Sequence, residues 1–353
     1  MVLHIRKLLK VRIRRIFGFV TDRAAIVQVR LLTDRRMSAL QTCVICATSH
    51  SEQPPSKELI KLVLQAGTGS RMRVAHCINL LLHRLSKTKS WIVALKCLTL
   101  IHQALQHGGF IYQDQLLSLH PRNGGRNLLN LSWFRDRSSP LAWAASSWIR
   151  WYAGFLEALI KASAITSTGA QLCSLQNDTV MAGIISLEAL LCDISHCPMT
   201  TDFSLRASHV LILDAFRLVA KDCITKHDEL RMHMKEACQR LGALTILQIT
   251  ELLRVSEAVN REREEFVKLT ELAVSMHLLH LKACLADDRI LTDNELMNIK
   301  IAFTEAARVS TAALAMKAGG APGRKEHVSI GSVLPVKLLS LGILKGSEAA
   351  WRG

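Results

Sequence analysis

The sequence predicts an all-α protein whose helices stack into a superhelical solenoid. Apolar residues recur at helical spacing in segments of about 12 to 25 residues with short breaks between them. Val, Ile and Thr nowhere alternate with polar residues for long enough to make a strand. Breakers are sparse, with 7 Pro and 18 Gly in 353 residues, so helices of ordinary length fit between them.

The first 36 residues are strongly basic, and Ile5, Leu8, Leu9 and Ile13 or Ile16 can line one helix face opposite the arginines. Such a segment is either an amphipathic membrane-surface element or a solvated charged end. Leu40 to Thr48 follows as a second helix, closed by SHSEQPPS, and Pro55 to Ala66 as a third. GTGSR after it lacks the spacing and the Gly-Lys-Ser/Thr ending of a phosphate loop. Val74 to Leu85 is a fourth apolar helix, and its His76 and His83 read as ordinary helix residues. Gly108 to Arg126 predicts a loop or short helical turn. Ser139 and Pro140 then have the residue types of an N-cap and first turn for a long helix rich in aromatics. Trp143, Trp148, Trp151, Tyr152 and Phe155 lie at core spacing there, which favours packing over base stacking.

Beyond a polar stretch from Ser163 to Asp178, four more helices are expected: Val180 to Ser195, Leu205 to Lys226, Glu229 to Arg254 and Val255 to Leu285. The mixed charges from Arg261 to Glu265 read as a solvated face. Thr292 and Glu295 have capping-box spacing at the start of a last helix reaching Ala318. We therefore expect a helical domain over residues 1–285, an additional C-terminal helix over 286–318, and a disordered tail over 319–353.

The segment from Lys87 to Gly109 organises this scheme. Trp91, Ala94, Leu95, Leu98, Ile101 and Leu105 form one apolar row, and Val93, Cys97, Leu100 and Ala104 a second beside it. A surface helix shows a single apolar stripe, so this helix belongs inside the stack. Lys96 stands among its apolar residues, and Gly108-Gly109 is placed to stop it. Lys89-Ser90-Trp91, Ala94-Leu95-Lys96, Leu100-Ile101-His102 and Gly108 resemble the ANTH domain of clathrin assembly proteins, plant members above all. A second stretch, Leu129 to Glu157, is similar to the same family through Leu131, Phe134, Asp136, Ser138-Ser139, Trp143, Arg150, Tyr152-Ala153 and Leu156. Gly18, Val20 and Asp22 match its first-helix pattern loosely, with Thr21 in place of a lysine.

The resemblance implies a solenoid of the ENTH/ANTH type that binds phosphoinositides and helps to assemble clathrin coats. It implies clathrin heavy chain and vesicle SNAREs as partners, with a peripheral membrane location at coated pits and vesicles of the Golgi or plasma membrane. The family's phosphoinositide motif is Lys-Ala-Thr, six residues, then Pro and a short run of Lys ending in His. Ala47-Thr48 and Pro55 are in register, and His50 follows as in plant relatives. Cys46 replaces the leading lysine, while Ser56, Glu58 and Leu59 replace two lysines and the histidine. Lys57 alone survives. The candidate lipid ligands are Lys57, Lys61 and the N-terminal Arg14 and Arg15, with lipid attraction carried mainly by distributed charge.

Composition bounds the alternatives. The 45 Lys and Arg against 29 Asp and Glu give a net charge of +16, which favours an anionic partner. A basic helical-repeat protein that binds nucleic acid or another acidic partner is the competing reading. No apolar run reaches the length of a membrane span and no secretory signal opens the chain, so a cytosolic setting is expected. Ten cysteines scattered through apolar helices suit reduced, buried thiols, and no cofactor or metal is expected. Cys43 and Cys46 form a CxxC pair without a suitable second pair for zinc. No Ser-His-Asp arrangement, phosphate loop or isolated carboxylate pair suggests an enzyme.

Overall fold

A computed structural model describes residues 2–32, 35–119, 128–129, 131–166, 171–198, 209–279 and 289–318. The side chains of residues 2–15, 32, 35, 36, 68 and 313–318 lie outside that description. The expected tail over 319–353 also lies outside the described residues. The chain divides into two units, 1–303 and 304–353. The first carries the helical stack, and the described residues of the second, 304–318, are helical.

All regular structure among the described residues is helical. The order is α1 (Val2–Leu32), α2 (Arg35–Ala47), α3 (Lys57–Leu64), α4 (Arg71–Lys87), α5 (Trp91–His107), α6 (Phe110–Leu117) and α7 (Pro140–Thr166). It continues with α8 (Asn177–Ser195), α9 (Val210–Gln239), α10 (Ile246–Ser275) and α11 (Asp293–Ala318). Each helix packs chiefly on those close to it in sequence: α1 on α2, α2 on α3 and α4, α4 on α5, α7 on α8, and α9 and α10 on α8. This is how helices that are apolar on two sides bury both.

The helix α5 lies at the centre, in contact with α3, α4, α6, α7 and α9. Its buried residues include both apolar rows together with Lys96, Thr99 and His102. Asp136 closes its start: one carboxylate oxygen accepts from the Trp91 N–H at 3.0 Å, and the other from the Ser138 N–H at 2.9 Å. The Asp136 N–H in turn donates to the Ser146 hydroxyl at 2.9 Å. This clip joins the start of α5 to the start of α7, and it explains the close grouping of Phe134, Asp136 and Ser138 in sequence. Gly108 ends α5 in extended backbone (φ −65°, ψ 145°), not in the left-handed conformation its position suggests. Its reason is space, since a Cβ there would stand 2.2 Å from the Ala104 carbonyl oxygen and 2.7 Å from the Tyr112 Cβ.

Several boundaries differ from expectation. The expected break between Lys226 and Glu229 is absent, and α9 runs unbroken because His227, Leu230, His233 and Met234 face the core. The expected break between Arg254 and Val255 is absent too, and one break stands in place of both: the 3-10 turn Leu241–Ala243, after which Thr245 and Gln248 form a capping box that opens α10. That Thr-x-x-Gln signature is visible in the sequence. The helix α7 continues to Thr166, into the stretch expected to be a loop. The capping box of Thr292 and Glu295 opens α11 as expected, with the Glu295 N–H donating to the Thr292 hydroxyl at 3.2 Å. Of the aromatic cluster, Trp148, Tyr152 and Phe155 are buried, whereas Trp143 is 53% exposed and belongs to the surface.

A buried polar relay links three helices of this core. The Tyr152 hydroxyl is 2.8 Å from the His102 Nδ1, and the His102 Nε2 is 2.7 Å from an Asp222 carboxylate oxygen. Gln106 donates to the other Asp222 oxygen. Burial, reinforced by the Asp222 and Asp214 charges, pushes the Tyr152 phenol far above its usual value. His102 is fully enclosed, so the relay works as a tie between α5, α7 and α9.

Two substitutions test this core. Trp91→Ala is expected to cost about 3–5 kcal/mol in chemical denaturation, as for a large aromatic removed from a packed interior. Asp136→Ala is expected to cost about 2 kcal/mol, because it leaves buried backbone donors without acceptors. Unchanged midpoints would place both residues outside the packed core.

Candidate functional site

The candidate site forms where α2 ends and the chain turns into α3. Thr48 closes α2 with its hydroxyl on the Val44 carbonyl at 2.6 Å. The next residues are fixed by a polar knot drawn from three other helices. Asp22, on α1, accepts from the His50 N–H at 2.8 Å, and the same oxygen lies 3.1 Å from the His50 Nδ1. The other Asp22 oxygen receives Arg84, from α4, at 2.6 Å. Arg84 also donates to the Thr48 carbonyl at 3.0 Å, and Lys96, from α5, donates to the Ser49 carbonyl at 3.1 Å. The helix α1 comes this close only because residue 18 is glycine: a Cβ there would stand 2.6 Å from the His50 Cβ.

The knot sets the local electrostatics. Burial alone would raise the Asp22 carboxyl, but hydrogen bonds from His50 and Arg84 outweigh it and hold it below its usual range. Lys96 is buried, and burial lowers its ammonium to about 8 despite the attraction of Asp22, with Arg84 adding to the decrease. The sequence marks this network only faintly, through a lysine inside an otherwise apolar helix and through Asp22 in a family position. Arg84 carries no local signal.

The four candidate ligands are placed differently. Lys57 is the first residue of α3 and Lys61 stands one turn on; both are exposed. Ser56 and Glu58, which replace two of the motif's lysines, now serve the start of α3. The Ser56 hydroxyl accepts from the Leu59 N–H at 3.3 Å. The Glu58 carboxyl is held below its usual value by its own backbone N–H and by Ser56. Arg14 and Arg15 lie within α1, and their side chains lie outside the described residues. Farther along α1, Ile16, Val20, Val27 and Leu31 follow at helical spacing and are 55–78% exposed, with Phe17 and Phe19 also exposed beside Gly18. The helix therefore presents an apolar stripe, with Arg23 stacked over the Phe19 ring at 5.1 Å.

Other features offer less chemistry. Cys43 and Cys46 lie on α2 as free thiols. Burial raises the Cys43 thiol, with Cys46 adding to the shift. No group of three or more His, Cys, Asp or Glu among the described residues is placed to hold a metal ion. No helix of the described residues is long and apolar enough to cross a membrane. A cavity of about 240 Å³ between α8, α9 and α10 is lined by Glu188, Cys192, His227, Arg254 and Phe266. Arg254 there is engaged by Glu188 at 3.2 Å and Glu251 at 2.8 Å.

The knot makes a prediction for pH. Below pH 8 Lys96 is charged in both folded and unfolded chains, and the cost of burying the charge is fully present. Between about 8 and the ordinary value of 10.5, the folded lysine loses its proton while the unfolded one keeps it. The unfolded chain then binds more protons, so this residue's contribution to stability rises with pH. Denaturation of wild type and Lys96→Met across that window should show wild type gaining on the variant. A difference that is flat in pH would contradict the assignment.

Comparison with known proteins places the arrangement. Residues 39–225 match the ANTH domain family. The chain is 34% identical to the Arabidopsis thaliana "Putative clathrin assembly protein At4g40080" over 67% of its own length and 69% of the relative's. It is 39% identical to "Putative clathrin assembly protein At2g01600" and 41% identical to "Putative clathrin assembly protein At5g57200", both also of Arabidopsis thaliana. Those matches cover 41% and 33% of this chain, but only 25% and 20% of the relatives. The matched region includes the end of α2, the whole of α5 and the Asp136 clip. With its all-α superhelical architecture, this chain belongs to the ANTH domain family.

Proposed function

We propose that this protein is a peripheral adaptor that binds anionic, phosphoinositide-bearing membranes and takes part in clathrin-coat assembly. The observation that carries this reading is the end of α2 and start of α3. There the ANTH motif position is rigidly held by the Asp22–His50–Arg84–Lys96 knot, with Lys57 and Lys61 exposed beside it. The proposed lipid ligands are Lys57 and Lys61, joined by Arg14 and Arg15 of α1. Because Cys46, Ser56, Glu58 and Leu59 carry none of the motif's positive charge, distributed attraction does most of the binding and discriminates weakly among phosphoinositides. The exposed apolar stripe of α1, with Arg23 stacked over Phe19, supports a helix that lies on a lipid surface.

Clathrin and vesicle SNAREs are the proposed protein partners, and coated pits and vesicles of the Golgi or plasma membrane the proposed location. The kinship with clathrin assembly proteins supports both proposals. The proposed role is that of an adaptor, and the Tyr152–His102–Asp222 relay, buried in the core, is read as a structural tie.

Attraction of basic residues to an anionic surface contributes about 1 kcal/mol each and decays within a Debye length. Liposome co-sedimentation should therefore fall steeply between low and physiological salt. Reversing Arg14 and Arg15 to Glu should weaken it more than Lys57→Ala does. Vesicles of equal net charge containing phosphatidylserine or phosphatidylinositol 4,5-bisphosphate should bind about equally. A strong bisphosphate preference abolished by Lys57→Ala alone would show a stereospecific pocket instead.

A further inference from the structure

We infer that the turn carrying Trp133 is a second membrane anchor, seated in the headgroup layer of an anionic bilayer next to the Lys57 edge. The inference rests on the membrane reading above and adds a site outside the family's motif. Trp133 is 86% exposed, the highest value among the described large apolar side chains, and Trp143 is 53% exposed. Trp133 is held out by construction. The turn from Leu131 to Phe134 is closed by the Phe134 N–H on the Leu131 carbonyl at 2.9 Å, and both of those side chains are buried. The Phe134 carbonyl is gripped by Arg135 at 2.7 Å and by Arg150 at 3.0 Å. Ser132 and Trp133 are left pointing outward between two buried anchors, so the indole is presented on a fixed turn.

The turn shares an edge with the proposed lipid site. The Asp136 clip fastens it to the start of α5 at Trp91. Lys96, farther along α5, fastens that helix to Ser49, and Arg84, near the end of α4, to Thr48. The loop after α2, the turn between α4 and α5, and the Trp133 turn thus come together. Among the described residues of these segments, Lys87 and Lys89 between the helices and Arg135 and Arg137 on the Trp133 turn are exposed cations. Glu58 is the exposed acid there, and Glu52, half-buried, stands 3.9 Å from His209.

This chemistry suits a lipid headgroup layer. Tryptophan prefers the membrane–water interface, where its ring is in apolar contact and its N–H stays wet. Flanking cations pair with phosphates at the same depth. Single-stranded RNA could also stack on exposed indoles. However, Arg137 already covers the Trp143 ring at 6.0 Å, which removes one of the faces that stacking needs.

The test uses the full chain with phosphatidylcholine vesicles that contain phosphatidylserine and carry bromine on their acyl chains near the headgroups. Bromine quenches only indoles that enter the lipid. Wild type should be quenched on binding, and so should Lys57→Ala to the extent that it binds. The double variant Trp133→Ser/Trp143→Ser should lose most of the quenching and bind on the order of tenfold more weakly, as expected for losing a buried aromatic contact. Trp133→Phe should recover part of that affinity. Quenching and affinity unchanged in the double variant would overturn the anchor and leave the membrane reading standing. A wild type that ignores every anionic vesicle would overturn both. If the double variant binds vesicles normally but loses affinity for single-stranded RNA, the turn is a base-stacking platform and the proposal fails.

Discussion

A cation inside the most deeply buried helix constrains everything around it. The helix α5 is apolar on two sides and must be covered by neighbours, yet Lys96 points into that cover. A buried ammonium is tolerated only when it is hydrogen-bonded and near negative charge. The chain meets both conditions by bringing the end of α2 to it, through the Ser49 carbonyl and the nearby Asp22 carboxylate. Asp22 then needs Arg84 and His50, and Gly18 must lack a side chain for α1 to approach. The geometry of the candidate lipid edge is thus a consequence of satisfying one lysine.

The same economy explains how the family motif is altered without loss of the fold. Cys46 is half-buried on α2, where an apolar thiol packs against the stack. Ser56 has become the N-cap of α3, and Glu58 sits in its first turn, where a negative charge suits the helix dipole. Ser56 and Glu58 thus serve the start of the helix. Lys57 and Lys61 keep positive charge at the surface of α3.

Most of the architecture was legible in the sequence because it rests on periodicity. The double apolar row of α5, the Ser139-Pro140 start of α7 and the Thr292–Glu295 box all carry local signals. The misplaced break near Lys226 shows the limit of such reading: the segment is polar enough to suggest a turn, yet His227 and His233 are buried by α8 and α10. Trp143 shows the converse, since its helical spacing matched the core while its place at the first turn of α7 left it outside. The site was less legible than the fold. Lys57 and Lys61 could be found by comparison with the motif, whereas the knot depends on pairs such as Asp22 with Arg84, 62 positions apart in sequence. Nothing local announces such a pair.

The central claim is that one edge of the stack, organised by the knot, faces the membrane. Hydrogen–deuterium exchange of the full chain, with and without anionic vesicles, tests it most directly. The account predicts slowed exchange over the α2–α3 junction, the turn between α4 and α5 and the Trp133 turn, with the exposed faces of α8 to α10 unchanged. Protection confined to α8 through α10, with the knot edge exchanging as in free protein, would contradict it.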